Sequence, residues 1–293
     1  MAAPTVHHPT RCPKGIVPRV EPNARHQAFV DTVWPPFILI KLNDAATLTS
    51  RGETAKSYFG PAPTVITTTT INDAELTDLT YQDELDILTR FEPDIHLPAD
   101  VSIYERHDPD HRQARVVQSL KGYLYVNSLI DDHAGEFHSG PPATIPLLQG
   151  LSPQDYQRCF QVFDELDVPM AAYYAVQYFT GNNPRTTDLI DSLEEIDAHA
   201  PDGLSLFIIG GLGPTLTDKY PDRVDAAAGF AQWYGRIEPL FDTTSDSPTL
   251  PIAKAKAGYD DLATTTNQQL NADIPPSYNP EYHQTDATFT PPQ

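Results

Sequence analysis

The sequence is poor in cysteine and contains no long apolar run. Its two cysteines, Cys12 and Cys159, are too few for a disulfide framework or a cysteine-based metal centre. Cys159 falls on an apolar helical stripe, where a cysteine usually serves as a small core residue. No stretch approaches ~18 consecutive apolar residues, and the N-terminus lacks the apolar core of a signal peptide. The sequence therefore predicts a soluble, cytoplasmic protein with no membrane partner.

Basic residues are scarce as well. The chain has 40 Asp and Glu against 19 Lys and Arg, which gives a net charge of −21, and only seven of the cations are lysines. This acid excess, together with abundant Ala, Thr and Asp, is typical of a cytoplasm with molar salt, where screening over ~3 Å removes most self-repulsion. Proteins that act on nucleic acids are also acidic in such cells. The charge therefore does not exclude tRNA or DNA as a partner.

Apolar runs alternate with amphipathic helices between residues 146 and 234. Ser152 precedes Pro153 and begins a helix by the usual N-cap pattern, and apolar residues then follow at spacings of three and four. Short apolar runs at 171–179 and 204–209 end in polar or glycine-rich turns. This alternation predicts a parallel α/β sheet, either a barrel or doubly wound.

The count of candidate strands favours the barrel. Together with an ambiguous apolar run near the end of the region, the candidates number eight, which a closed TIM-type (β/α)8 barrel requires: 15–20, 37–42, 64–71, 94–100, 146–150, 171–179, 204–209 and 226–234. We therefore predict a barrel domain over residues 14–242. A flexible segment (1–13) is expected before it. A Pro/Thr-rich, mostly extended or disordered tail (243–293) is expected after it.

Polar residues stand where two predicted strands end. Asp100 and Gln149 each begin a predicted βα loop, and the two together could read the edge of a flat heterocycle, since Asp accepts hydrogen bonds and Gln both donates and accepts. Loop capping is the alternative for each residue. The glycines after the 204–209 run could cradle a phosphate, although they lack the Lys-Ser/Thr sequel and the dinucleotide spacing. A tight turn is the alternative there.

One loop contains metal-binding residue types. Asp131, Asp132 and His133 are followed by Glu136 and His138, but two histidines five residues apart do not form a helical ligand pair. A solvated acidic loop is the simpler interpretation. We therefore expect no metal and no cofactor.

The run from Pro146 to Gly150, followed by Asp155, Tyr156 and Cys159, resembles a known motif. It is similar to the P-V-L-Q-G…D-Y-x-x-C run of the transglycosylases that insert 7-deazaguanine bases, the tRNA-guanine transglycosylases and their relatives that act on DNA. Residues 97–100 resemble the family's P-x-D at the end of a barrel strand, whose Asp binds the base. The resemblance covers residues 60–235 approximately, by order and spacing more than identity, and it implies a TIM barrel.

The resemblance implies a site for a guanine-type base, pentosyltransferase activity, and tRNA or DNA as partner. The implied base-binding residues are Asp100, Gln149 and Gly150, then Gln177 and Tyr178 at a base-contacting turn, and Gly210 and Gly211 at the Gly-x-Gly strand end.

The sequence departs from the family at its catalytic motifs. The D-S-G-G-F turn would fall at residues 67–73, where Asp73 is the carboxylate. The A-D-S-M-A-W motif aligns with residues 227–233 and puts Ala228 in place of the nucleophilic Asp, with Asp225 the nearest carboxylate. The zinc-binding cysteines of the tRNA branch are absent. Because covalent base exchange needs a carboxylate nucleophile and an acid–base partner, Asp225 and Asp73 are the catalytic candidates.

Three hypotheses follow. The chain is a transglycosylase-like enzyme, or a catalytically inactive barrel that serves as a nucleic-acid-binding or partner subunit of an active homologue. In the third it is an unrelated α/β-barrel enzyme acting on a phosphorylated small molecule through residues 210–213. The position of Asp225 separates the first two hypotheses. At the barrel mouth beside Asp100 it favours the enzyme, and on an outer helix it favours the partner subunit.

Overall fold

Eight parallel strands alternate with helices in the computed structural model, which describes residues 5–180, 184–242 and 249–277. The strands are β1 (Gly15–Val20), β2 (Phe37–Lys41), β3 (Thr64–Thr68), β4 (Ile95–Leu97), β5 (Ala143–Thr144), β6 (Met170–Tyr174), β7 (Ser205–Ile209) and β8 (Val224–Gly229). Seven strands overlap predicted ones, whereas β5 lies before the predicted strand at 146–150, where only Leu147 forms a parallel bridge, with Ala172. The ambiguous run at 226–234 divides into the end of β8 and the start of a helix.

The helices lie between the strands and after the last one. They are α1 (Ala24–Val33), α2 (Leu42–Thr49), α3 (Ala55–Phe59), α4 (Asp73–Asp78), α5 (Tyr81–Phe91), α6 (Pro109–Asp132), α7 (Pro153–Glu165), α8 (Thr186–His199), α9 (Pro214–Thr217), α10 (Ala231–Ile237) and α11 (Ile252–Gln269). The predicted N-cap of α7 is confirmed, because the Ser152 hydroxyl accepts from the backbone N–H of Asp155. None of the described helices is both long and apolar enough to cross a membrane.

The strands follow the order β5-β4-β3-β2-β1-β8-β7-β6, and every registered pair is parallel. Backbone hydrogen bonds also join the residues after β5 to β6. Leu148 N donates to Ala172 O, and Ala172 N donates to Pro146 O, each at 2.8 Å. The first and last strands of the order are thereby connected, which confirms the predicted TIM-type α/β fold. The barrel is irregular, since β4 has three residues and β5 has two.

The apolar side chains form two layers around the strands. Along β2, Phe37 and Leu39 face the barrel interior, whereas Ile38 and Ile40 face the surrounding helices. A strand that is covered on both sides reads as a continuous apolar run, which is why β2 was visible in the sequence. On β8 the inward residues are Ala226 and Ala228.

A polar cluster lies within the outer layer. His96 on β4 contacts Glu84 on α5 (Nε2 to Oε1, 2.7 Å) and Thr67 on β3 (Nδ1 to Oγ1, 2.8 Å). The side chains of Glu84 and His96 are 2% and 0% exposed, respectively. This cluster therefore fixes α5 against the sheet through hydrogen bonds that water does not share.

The prediction of a mostly extended or disordered tail from residue 243 is wrong for residues 252–269, which form α11. Tyr259 and Leu262 are fully buried, and Tyr259 packs edge-on against Phe29. Asn267 Oδ1 accepts a hydrogen bond from Ile16 N at 3.0 Å. The helix was missed because its apolar stripe is built mainly of small residues between Thr, Asn and Gln. Residues 243–248 and 278–293 of the predicted tail lie outside the described residues.

Residues 5–13 have no helix or strand but make defined contacts, unlike the flexible segment that the sequence predicts. His7 O accepts from Thr144 N at 2.7 Å, and the His8 ring lies 2.9 Å from Leu166 O. Cys12 packs against the barrel interior. The segment therefore covers the amino-terminal end of the barrel. Residues 1–4 lie outside the described residues.

Candidate functional site

A cavity of about 600 Å³ opens at the end of the barrel where the carboxyl ends of the strands meet, which we call the mouth. The loops after β3, β4, β5 and β6 supply its walls. Active sites of parallel α/β barrels lie at this end. Polar side chains and one glycine of these loops line this main cavity, including Asp73, Asp100, Tyr104, Gln149, Gly150 and Gln177.

Asp100 and Gln149 meet in this cavity. Gln149 Nε2 donates a hydrogen bond to Asp100 Oδ1 at 2.7 Å, and the backbone N–H of Asp100 donates to the Thr69 hydroxyl at 3.0 Å. Gln149 is 8% exposed, and Asp100 is half-buried. The sequence prediction that the two residues share one mouth is confirmed.

The environment of Asp100 makes its carboxyl a weaker acid than that of a solvent-exposed Asp. The pKa of its carboxyl is raised to about 6. Burial is the main cause, and the negative charge of the nearby Asp73 acts in the same direction. Hydrogen bonds from Gln149 and from the Val101 backbone, and the charge of Arg115, oppose this shift. A carboxyl group with a pKa near 6 can change protonation state close to neutral pH.

Asp73, the other carboxylate of the main cavity, is held differently. It lies exposed at the start of α4 and accepts hydrogen bonds from the Ser102 hydroxyl at 2.6 Å and from the Tyr104 hydroxyl. These two hydrogen bonds hold the pKa of the Asp73 carboxyl below its usual value, and the one from Ser102 has the larger effect. The pKa values of Asp73 and Asp100 are therefore moved in opposite directions, an arrangement that assigns separate acid and base roles in many active sites.

The turn after Gln149 explains the local sequence pattern. Gly150 has φ +130°, and a Cβ at this position would lie 2.3 Å from Asp155 Cβ. The Asp155 carboxylate accepts from Leu151 N at 3.1 Å, and the Cys159 thiol lies 3.4 Å from Gln149 O. Asp155, Gly150 and Cys159 thus hold the backbone that presents Gln149 to the main cavity. Cys159 is buried in the core, as predicted.

Of the predicted pair Gln177 and Tyr178, only Gln177 lines the main cavity. Tyr178 is buried, and its hydroxyl lies 2.8 Å from the Tyr173 hydroxyl and 2.9 Å from Ser192 Oγ. The prediction that Tyr178 contacts the ligand is therefore wrong. Adjacent side chains of the 3-10 turn Val176–Phe179 point in different directions, which the sequence alone does not reveal.

Gly210 and Gly211 form a tight turn after β7, at φ +92° and +71°. A Cβ on Gly210 would lie 2.6 Å from Val176 Cγ2. The carbonyl of Gly211 accepts from the Tyr220 hydroxyl at 2.8 Å. Neither glycine lines the main cavity, although Gly210 lines a second, smaller cavity at the same mouth.

The prediction of Asp225 as a catalytic carboxylate is wrong. Asp225 lies near the start of β8. Its neighbours Val224 and Ala226 pair with consecutive residues of β7, so Asp225 forms a β-bulge. The beginning of a parallel strand lies at the amino-terminal end of the barrel, opposite the mouth. There the charge of Asp225 adds to burial in raising the pKa of the Cys12 thiol. Asp225 occupies neither the mouth nor an outer helix.

Sequence reasoning missed the residues of the long loop after β4. Ser102 and Tyr104 hold Asp73, and Arg106 lines the main cavity. Arg115 at the start of α6 donates to Ser102 O at 2.8 Å. The available signal was the length of this loop, because βα loops carry the functional residues of a barrel.

The acidic loop around residue 133 makes protein contacts. The His133 ring lies 2.8 Å from Leu129 O, and the His138 ring lies 3.0 Å from Glu92 Oε1. Within residues 5–180, 184–242 and 249–277, no group of three or more His, Cys, Asp or Glu side chains is arranged to hold a metal ion.

Comparison with known proteins found no matching family model and no significant curated relative. Inferences about function therefore depend on the geometry of the mouth.

Proposed function

We propose that the mouth binds a guanine-type base and that the protein is a transglycosylase-like enzyme, which exchanges that base in a nucleoside of tRNA or DNA. The observation that carries this proposal is the hydrogen-bonded pair of Asp100 and Gln149 at the strand ends of the main cavity. The sequence resemblance assigns base binding to the same two positions.

The chemistry of the pair matches the edge of guanine. Guanine presents ring and exocyclic N–H donors beside a carbonyl acceptor. The ionised Asp100 carboxylate accepts from the N–H groups, and the Gln149 amide donates to the carbonyl. The bond between Asp100 and Gln149 holds both side chains in position before the ligand arrives. Preorganisation of this kind reduces the entropic cost of binding.

Asp73 supplies the reactive carboxylate in this proposal. Its lowered pKa keeps it ionised, and it faces the main cavity with Asp100. Its oxygen forms a bond to the anomeric carbon of the ribose as the glycosidic carbon–nitrogen bond breaks. The departing base keeps the electron pair of the broken bond and takes a proton from water at the open mouth. A second base then loses a proton to water and displaces the carboxylate by the reverse steps.

A second candidate function is base binding without exchange. The carboxyl end of β8, where the resemblance places the nucleophile, carries Ala228 and Gly229. Asp225 lies at the opposite end of that strand. In this alternative the barrel binds the base or the nucleic acid, and a homologous partner subunit supplies the nucleophile.

Mass spectrometry distinguishes these functions. The purified protein is incubated in molar salt with tRNA or DNA and an isotopically labelled guanine-type base. We expect label in the nucleic acid with the wild type and none with Asp73→Asn, which should still bind the base. Base binding without incorporation by the wild type supports the second candidate. Absence of base binding contradicts the first candidate, and absence of nucleic-acid binding as well contradicts the second.

A further inference from the structure

A second cavity of about 170 Å³ lies beside the main cavity at the mouth. It is formed at the ends of β1, β2, β3, β7 and β8. Two cationic side chains of this acidic protein line it, together with two threonines and two glycines at strand ends: Arg19, Lys41, Thr68, Thr70, Gly210 and Gly229.

Arg19 is held in place with unused hydrogen-bonding capacity. Its guanidinium lies 5.2 Å from the centre of the Phe230 ring, and its Nη2 donates to Glu21 at 3.2 Å. Its Nε is buried and has no hydrogen-bond partner among the described residues. A buried N–H group without a partner costs free energy, which a bound acceptor would recover.

Lys41 is half-buried, and no hydrogen bond or ion pair of its side chain is found among the described residues. The nearest carboxylates do not close the second cavity. Glu21 and Asp44 do not line the cavity. Burial is the main cause that raises the pKa of the Asp44 carboxyl to about 6. Two cations thus line this space, and no carboxylate among the described residues does.

The two cavities are neighbours. Tyr174 and Val176, from the end of β6, line both of them. Burial raises the pKa of Tyr174, with a further contribution from the charge of Asp100 and an opposing one from Arg19. The Tyr174 side chain is therefore within electrostatic reach of the base-binding carboxylate and of the cation in the second cavity.

We infer that the mouth takes a nucleotide, with its phosphate at Arg19 and Lys41 and its base at Asp100 and Gln149. The placement of the base at Asp100 and Gln149 rests on the proposed function. Arginine and lysine are the usual ligands of phosphate, and the loops after the seventh and eighth strands of α/β barrels frequently form phosphate sites. Gly210 and Gly229 stand at these strand ends and line the second cavity.

Calorimetric titration of the full chain in molar salt tests this inference. The ligands are guanine, guanosine and guanosine monophosphate. We expect the monophosphate to bind at least tenfold more tightly than guanosine. Added inorganic phosphate should weaken the binding of the monophosphate and not that of guanosine or guanine. Lys41→Gln and Arg19→Lys should shrink this difference while leaving guanosine binding unchanged. Lys56→Gln is the matched control, because Lys56 lies near Asp94 at the start of β4, away from the mouth.

Equal binding of guanosine and its monophosphate by the wild type would overturn the inference. So would a phosphate preference that survives unchanged in both variants. Failure of the proposed function gives a different result: neither guanine nor guanosine binds, whereas phosphorus NMR still detects inorganic phosphate binding that Lys41→Gln weakens. That outcome would support an anion-binding site at Arg19 and Lys41 and contradict base binding at Asp100 and Gln149.

Discussion

At the scale of single residues, two carboxylates in one cavity have opposite environments. Asp73 is exposed and held by two hydroxyl groups, whereas Asp100 is half-buried and bonded to the Gln149 amide. Desolvation favours the neutral form of a carboxyl group, and hydrogen-bond donors favour its anion. The difference in pKa therefore follows from position, although the two side chains are chemically identical.

Asp100→Asn tests the ligand contact directly. Asn keeps the oxygen that accepts from Gln149 but replaces the other carboxylate oxygen with a donor, which faces the ring N–H of a bound guanine. We expect guanine affinity to fall about tenfold, for ~1.4 kcal/mol, with little change in melting temperature. Gln149→Ala should also weaken binding, and the double variant should be non-additive because the proposal has both residues touch one ligand. A large fall in melting temperature with unchanged affinity would make Asp100 a structural cap.

The pH dependence of stability separates Asp73 from Asp100. The pKa of Asp100 is about 6 in the folded protein, above the ~3.9 of an unfolded chain. Its contribution is therefore most favourable below about pH 4 and declines as pH rises towards 6. Relative to wild type, the free energy of unfolding of Asp100→Asn should therefore increase by about 1 to 2 kcal/mol as pH rises across this window, allowing for partial exposure.

Chemical denaturation of both proteins at several pH values measures this gain. Asp73→Asn is the contrasting variant. Because the pKa of Asp73 is lowered, its contribution is present above the unfolded value and is lost as pH falls. The same direction of change in both variants would contradict the assignment of opposite environments.

At the scale of elements, buried polar contacts fix helices against the barrel. The Glu84–His96 contact joins α5 to β4, and the Asn267–Ile16 contact joins α11 to β1. An apolar interface can slide, whereas a buried donor needs its own acceptor. These contacts set the register of each helix on the sheet.

Glu84→Ala should lower the free energy of unfolding by at least about 2 kcal/mol, because it leaves the buried His96 ring without its partner. Gln82→Ala, at an exposed position of the same helix, is the matched control and should change stability by less than about 0.5 kcal/mol. Denaturant titration measures both variants. Similar small effects would mean that water or a rearranged side chain replaces Glu84.

Removal of α11 should prevent stable folding. Truncation after Phe241 exposes the surface of β1, α1 and α10 that Tyr259 and Leu262 cover, and leaves Ile16 N without its acceptor. In the full chain, Tyr259→Ala should cost about 3 to 5 kcal/mol, as for other buried aromatic residues. Thr264→Ala, on the exposed face of the same helix, is the control. A soluble truncated chain with unchanged melting temperature would show that the barrel closes without this helix.

At the scale of the whole molecule, charge is the dominant feature. A net charge of −21 opposes the compact state through self-repulsion. The second cavity is an exception, since Arg19 and Lys41 line it and no carboxylate in the described part of the chain does. A negatively charged ligand would therefore meet attraction in the second cavity and repulsion over much of the remaining surface.

The melting temperature should fall as salt is lowered from molar to ~0.1 M, because the Debye length grows from ~3 to ~10 Å and repulsion acts over more of the surface. Circular dichroism melts at matched pH measure this effect. Sodium chloride and potassium chloride should act alike, since screening depends on ionic strength. A melting temperature independent of salt would contradict the prediction of a molar-salt environment.

The sequence by itself determined the approximate positions of the strands and that Asp100 and Gln149 share one mouth. Apolar runs, the Ser152 cap and the glycine turns depend on residues close in the chain, and parallel strand ends must meet at one mouth. The tertiary structure decided which end of the barrel holds Asp225, where Tyr178 points, and that residues 252–269 complete the helical layer. These features depend on strand direction, side-chain orientation and contacts between residues far apart in the chain, and no local pattern contains that information.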